Sequence, residues 1–272
     1  MRHLLVALLL LPLVPVAAAG ESLRARYEVY ALGSTVLELE ARFEVTAETY
    51  RIEAAMRTRG LAALIASAQH VSHAHGVWAG DAPAPAGFVS EGTWRGRVRR
   101  ISLDWQDTHP RVLELSPPNE DEDREPVSDA LRRGTVDILS AFAGLTRRVG
   151  KAGSCDLAAP VFDGRRRSDF ASRSEGRELI RPWRGAWHGE ALRCGYEGRL
   201  VAGFRRDQDR TDAAEPQRGT AWMASPYPGA PAIPVRIDIP TRWFGTATAV
   251  LLRAEPVRVP PQGAAVRGDR RG

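Results

Sequence analysis

Strict alternation of apolar and charged side chains is the feature that most restricts what this chain can become. Across residues 36–45, Leu37, Leu39, Ala41, Phe43 and Val45 fall on one parity and Glu38, Glu40, Arg42 and Glu44 on the other. Tyr50, Ile52, Ala54 and Met56 repeat the pattern against Arg51, Glu53 and Arg57. Successive side chains of a strand point to opposite faces, so this spacing predicts antiparallel strands with one face buried and the other in water. Upstream, Tyr27, Val29 and Ala31 lead through Gly33-Ser34 into the Leu37 strand, and Ala47-Glu48 lies where a second turn is needed. Three strands joined by tight turns form a meander.

Further strands are expected around 70–78, 87–94, 98–105, 112–115, 157–162, 165–174, 191–204, 233–239 and 247–253. Asp163-Gly164 predicts a two-residue hairpin turn between the strands at 157–162 and 165–174. Two segments break to helical spacing. Leu61, Leu64 and Ile65 follow Gly60 at i, i+3, i+4, and residues 135–149 carry an apolar stripe of Ile138, Leu139, Phe142 and Leu145. Thr135 is the expected N-cap of the longer helix, with Asp137 in its first turn and Arg147 and Arg148 in its last, each charge suited to the helix dipole. The sum is a mainly β fold with minor α: a curved antiparallel sheet or half-open β-barrel of about ten to twelve strands, with two short helices packed on or capping the concave side. Residues 20–255 are expected as one domain, because the second half has few apolar positions of its own. Residues 256–272, with Pro260-Pro261 and Arg267, Arg270 and Arg271, read as a frayed basic tail.

The amino terminus adds a compartment. Arg2 and His3 precede an apolar block at 4–16 and the small residues Ala17-Ala18-Ala19, the layout of a signal peptide spanning residues 1–19. The apolar block is shorter than the roughly 20 residues a membrane span needs, so no stable anchor is expected after cleavage. The predicted location is therefore periplasmic. The chain has 38 Lys plus Arg against 33 Asp plus Glu. Part of this small excess lies in Arg2 and the tail, and the rest alternates with acids along strands, so no nucleic-acid partner is expected. Cys155 and Cys194 are the only cysteines. In an oxidising compartment they are expected to form a structural disulfide; they lack the C-x-x-C spacing of a redox pair.

Few residues suggest chemistry. His70, His73 and His75 share a strand, with His73 and His75 on one face, but no third or fourth zinc ligand accompanies them. The acidic run Glu120, Asp121, Glu122, Asp123 and Glu125 lacks the glycine and ligand spacing of a calcium loop and reads as a solvated loop. Arg165, Arg166 and Arg167 make a cationic patch that either meets phosphates or an acidic partner or blunts an exposed edge. Ser140, Ser168 and Ser174 lack an activating motif, and His109 and His188 sit in loop-like contexts. Trp183, Trp187 and Trp243-Phe244 are core or cavity-rim candidates. No catalytic residue, metal site or cofactor is expected.

The segments Tyr27-Glu28-Val29-Tyr30 with Gly33, Tyr50-Arg51-Ile52, Thr58-Arg59-Gly60-Leu61, Cys155-Asp156, Phe162-Asp163-Gly164-Arg165-Arg166 and Cys194 together resemble a bacterial envelope family, domain of unknown function 3108. A more distant similarity of layout links the chain to lipoprotein carriers of the LolA and LolB type. That similarity implies a half-open barrel with a helical lid over an apolar cavity and an acyl-chain or lipoprotein ligand. The leading expectation is thus a noncatalytic periplasmic protein binding an apolar or amphiphilic ligand in a concave β cavity, gated by the Leu61 or Ile138 helix. The alternative is an envelope assembly protein with a filled core that binds another protein, and a hydrolase of unrecognised type comes third.

Overall fold

The computed structural model describes residues 21–241 and 245–257; the expected signal peptide, the basic tail from 258 onward and Trp243-Phe244 lie outside these. Thirteen strands form one antiparallel sheet. In chain order they are β1 (Glu21–Ala31), β2 (Ser34–Val45), β3 (Thr49–Thr58), β4 (Ala68–Ala79), β5 (Ala82–Trp94), β6 (Arg97–Gln106), β7 (His109–Ser116), β8 (Leu157–Phe162), β9 (Arg167–Ile180), β10 (Gly189–Ala202), β11 (Gln217–Ala224), β12 (Ile233–Thr241) and β13 (Gly245–Pro256). The spatial order is β7-β6-β5-β4-β3-β2-β1-β13-β12-β11-β10-β9-β8. Two meanders therefore meet where the first and last strands pair, Leu23 opposite Pro256 and Tyr30 opposite Thr248. Among the described residues four α-helices accompany the sheet: α1 (Gly60–Ile65), α2 (Asp129–Arg132), α3 (Ile138–Ala152) and α4 (Arg210–Ala213). None of the described helices is long and apolar enough to cross a membrane.

The alternation becomes the two faces of the sheet. Leu23, Ala25, Tyr27, Ala41, Phe43, Tyr50 and Ile52 are buried on the inner face with Ala143 of α3, while Arg24, Glu40, Arg51 and Arg57 meet solvent outside. The outer edges β7 and β8 do not pair with each other, so the barrel is not closed by strand hydrogen bonds. The connection at 117–137 spans the gap instead. Gly134 N donates to Thr108 O at 2.8 Å, Val136 N to Pro160 O at 2.9 Å and Phe162 N to Val136 O at 2.9 Å. The β8–β9 turn is pressed against β6: Gly164 has φ +90°, and a Cβ there would lie 2.6 Å from Ile101 Cγ2. Only glycine meets both conditions.

In its secondary structure and helix packing the structure differs from the sequence expectations at four places. The strands number thirteen, because the segment forming β11 does not alternate. Ala221, Trp222 and Met223 are consecutive and all buried. The outer side of Trp222 is covered by the projecting ends of β9 and β10, where its Nε1 donates to Glu178 Oε2 at 2.9 Å. Asp137, not Thr135, caps α3: its carboxylate accepts from Ser140 N at 2.9 Å, whereas the Thr135 hydroxyl is committed to Arg132 O at 2.6 Å. The β8–β9 turn takes four residues rather than two, Phe162 pairing with Arg167, since Asp163 Oδ1 gathers the N–H groups of both Arg165 and Arg166. Finally, α1 buries no side chain. Of the two helices expected on the concave side, α3 alone packs there.

Candidate functional site

The concave interior is where a barrel would hold a ligand, and α3 occupies its lower part. Ala141, Ala143 and Leu145 of α3 are buried, with Leu139 and Phe142 packed against the inner face of the sheet. The helix is fixed at both ends. At its start, Tyr50 Oη donates to Ser140 Oγ at 2.8 Å and Ser140 Oγ donates to Asp137 Oδ2 at 2.5 Å, all three groups being buried. Toward its end, Arg147 lies over the Trp78 ring at 4.4 Å and donates to Thr46 O, and Lys151 pairs with Asp81 at 2.6 Å. Just past the helix, Cys155 is bonded to Cys194 of β10, 39 residues on. That bond is packed among Leu145, Leu192 and Met223.

Burial shapes the chemistry of the tether. Withdrawal from water pushes the Asp137 carboxyl up to about 6, against the hydrogen bonds from Ser140 that act to lower it, and it pushes the Tyr50 phenol up as well. Asp137 is therefore more readily protonated in the folded chain than in the unfolded one. Its favourable contribution is complete below the unfolded carboxylate range and is lost as pH rises through about 6, a change of about 3 kcal/mol by neutral pH. Asn at this position keeps a capping oxygen and cannot ionise. Urea midpoints of the wild type should fall between pH 4 and pH 7 relative to those of Asp137→Asn. Parallel profiles would show that Asp137 does not titrate in this range.

A second cluster closes the opposite end of the barrel. Glu122 lies between three guanidinium groups: Arg165 Nη1 at 3.0 Å, Arg124 Nε at 3.5 Å and Arg99 in a short contact. Arg165 is only 4% exposed and also donates to Pro117 O at 2.5 Å. Burial draws the Arg165 guanidinium below its ordinary value, opposed by the adjacent Glu122 carboxylate. Arg124 Nη1 reaches Gly203 O at 2.9 Å, and Glu125 N reaches Phe204 O at 2.9 Å. The acidic run is thus folded onto the arginines of β6, the β8–β9 turn and the β10–β11 connection. The expectation of a solvated loop holds for Glu120 and Asp121, which are exposed, and fails for Glu122. Arg165 leaves the expected surface patch because Asp163 turns the backbone inward at that point.

These pieces include the Phe162-Asp163-Gly164-Arg165-Arg166 and cysteine segments noted in the sequence, and the family described as "Protein of unknown function (DUF3108)" matches residues 26–252. The chain belongs to the DUF3108 family. The match covers the sheet from β1 to β13, so the fold described here is that of the DUF3108 domain. A solved structure of similar fold is the crystal structure of a beta-barrel-like protein of domain of unknown function DUF1849 from Brucella abortus. It has a TM-score of 0.52 and 13% identity, and the match covers 88% of this chain and 99% of that one. No curated protein matches the chain.

The remaining sequence candidates of this DUF3108 domain are scattered. His73 and His75 are on the outer face of β4, and the nearest carboxylate oxygen to His73 Nδ1 is that of Glu53 at 3.7 Å. Among the described residues, no three His, Cys, Asp or Glu side chains gather in a way that could hold a metal ion. Ser140 is enclosed in the tether, Ser174 Oγ accepts from Cys155 N at 3.0 Å, and His109 pairs with Asp129 at 3.0 Å. Trp183 stacks edge-on against Tyr30 at 4.9 Å on the outside of the sheet, and Trp187 packs on the core while its backbone N–H donates to Leu251 O at 2.7 Å. Two open surface clefts have mainly polar linings: one of about 350 Å³ lies among Arg26, Glu38, Glu40, Arg57 and Gln69, and one of about 490 Å³ among Glu178, Arg181, Trp183 and Arg236. Another, of about 470 Å³ beside Tyr196 and Pro240, is open but more apolar. Sequence reasoning missed Tyr50 and Glu122 as organising residues. The Asp137-x-x-Ser140 spacing is a legible capping signal; nothing local marks Glu122 among its acidic neighbours.

Proposed function

We propose that the protein is a noncatalytic component of the bacterial envelope, exported to the periplasm, that acts through its outer surface rather than by carrying a ligand inside. The observation that carries this reading is the anchoring of α3. A gated carrier needs a helix that can swing away from the concavity, whereas α3 is held by the Tyr50–Ser140–Asp137 chain at one end and by Arg147, Lys151 and the Cys155–Cys194 bond toward the other. The other helix expected as a gate, α1, does not pack into the interior. The surface clefts described above open widely to solvent, unlike the enclosed cavities in which small molecules are usually held.

Ligand carriage keeps one supporting observation. Leu37, Leu39 and Met56 face inward above α3 and are only half-buried. A single experiment separates the readings. Protein recovered from the periplasm should begin at Gly20, carry no stoichiometric acyl chains in a native mass spectrum, and give no saturable signal with a fluorescent fatty acid. Co-purifying lipid at one per chain would reinstate carriage, and an uncleaved amino terminus would overturn export by a cleaved signal.

A further inference from the structure

Three connections lie side by side at one end of the barrel, and all expose large apolar side chains. The β1–β2 turn carries Leu32 at 77% exposure, α1 carries Leu61, Leu64 and Ile65 at 76%, 83% and 78%, and the β5–β6 turn carries Trp94 and Val98 at 41% and 68%. They are neighbours in space. Arg59 N donates to Val36 O at 2.9 Å, placing α1 beside the start of β2, and Arg95 N donates to Ser67 O at 2.8 Å, placing the β5–β6 turn beside the residues after α1. Isolated exposed leucines need no explanation, but a contiguous set on one rim does. Two details sharpen the point. The i, i+3, i+4 stripe of α1, which in a globular helix faces the core, here faces solvent. Leu32 has φ +50°, a backbone region that favours Gly and Asn and is poor for a branched aliphatic residue.

The three connections themselves carry charge of one sign, with Glu28 (against Thr35) and the acidic loop held by Arg99 at their border. Residues 31–36, 60–68 and 93–98 contain no aspartate or glutamate, although the chain has 33. Their charged residues are Arg95 and Arg97, both exposed. Arg95 lies over the Trp94 ring at 5.8 Å. Among the described residues neither arginine is within ion-pair distance of a carboxylate, in contrast to Arg59 just below, which pairs with Glu38 at 2.9 Å. Protruding aliphatic tips, a tryptophan and unpaired cations match the two layers of an anionic lipid surface, acyl chains below and phosphates above.

We infer that this rim docks the protein on an anionic lipid surface, with Leu32, Leu61, Leu64, Ile65 and Val98 entering the acyl boundary and Arg95 and Arg97 meeting lipid phosphates. The inference rests on the reading that the protein works through its exterior, and its test is independent of the fatty-acid titration, which probes the interior. Residues 20–272, which contain the whole described fold, are sedimented with phosphatidylcholine vesicles with and without phosphatidylglycerol. Binding should require phosphatidylglycerol and weaken with added salt. The double variant Leu61→Glu and Leu64→Glu should lower the partition coefficient by about tenfold or more, from the lost apolar insertion. Its urea midpoint should stay unchanged, because α1 buries no side chain. Arg95→Gln with Arg97→Gln should lower binding to phosphatidylglycerol vesicles alone. An environment-sensitive dye on Leu64→Cys should shift to the blue on binding. Absence of vesicle binding would overturn the inference, whatever protein partner the rim then proved to have. Binding that survives the Leu61 and Leu64 substitutions would also overturn it, by assigning attachment to another surface such as the arginine-rich tail.

Discussion

Replacing Glu122 with Gln should cost about 3 kcal/mol of stability, more than any other single change in the acidic loop, because it leaves three guanidinium groups facing one another without a carboxylate. The side chains of Arg165 and Arg124 are 5% and 18% exposed, so water replaces little of what the carboxylate supplied. Arg165 would also remain tied to Pro117 O, unable to swing outward without releasing the loop. Since the loop at 117–125 joins β6 to the β8–β9 turn and the β10–β11 connection, the loss should loosen the barrel where no strand pairing closes it. Urea unfolding of Glu122→Gln beside Glu120→Gln is the comparison to make. The exposed Glu120 should change by no more than about 0.5 kcal/mol. Equal midpoints for the two variants would mean that the arginine cluster is held by its carbonyl contacts alone. Added salt should not reproduce the effect, because a largely buried cluster is screened less than a surface pair.

The contrast between Glu122 and Glu120 also shows where the sequence stops being informative. Period-two alternation reports a strand with one wet face, and it was sufficient for β2 and β3, whose residues 37 to 57 fall on the faces their parity demands. It fails at β11, where the projecting ends of β9 and β10 cover the second face and the difference between faces vanishes. It also misleads at α1, whose helical stripe is real but has no core behind it. Tertiary neighbours decide such cases, and they lie far away in the chain: Glu178 is 44 residues from Trp222, and Ser140 is 90 from Tyr50. The same reason hides the ion-pair hub. In a run of five acids within six residues, composition gives each the same reading, and only the placement of Arg99 and Arg165 distinguishes the one that is enclosed.

Removing both cysteines, as Cys155→Ala with Cys194→Ala, should cost about 4 kcal/mol, the loop-closure value for a bond spanning 39 residues. Both sulfurs are buried, and alanine avoids placing an unsatisfied hydroxyl among Leu145, Leu192 and Met223; the corresponding double serine variant should be less stable still. The closed loop contains β8, β9 and the turn that carries Trp183, and it begins where α3 ends. Hydrogen exchange in reduced protein should therefore rise first in β8, the edge strand, and its neighbour β9, and reach the β1–β13 seam last. A loss below about 1 kcal/mol in the double alanine variant would show that the sheet already constrains these segments without the bond. A loss near the expected value has a consequence for location. Domains are stable by only about 5–15 kcal/mol in total, so a reducing cytosol would take away a large share of what holds this fold together. The oxidising compartment proposed from the amino terminus would then be a requirement of the folded state as well as a destination.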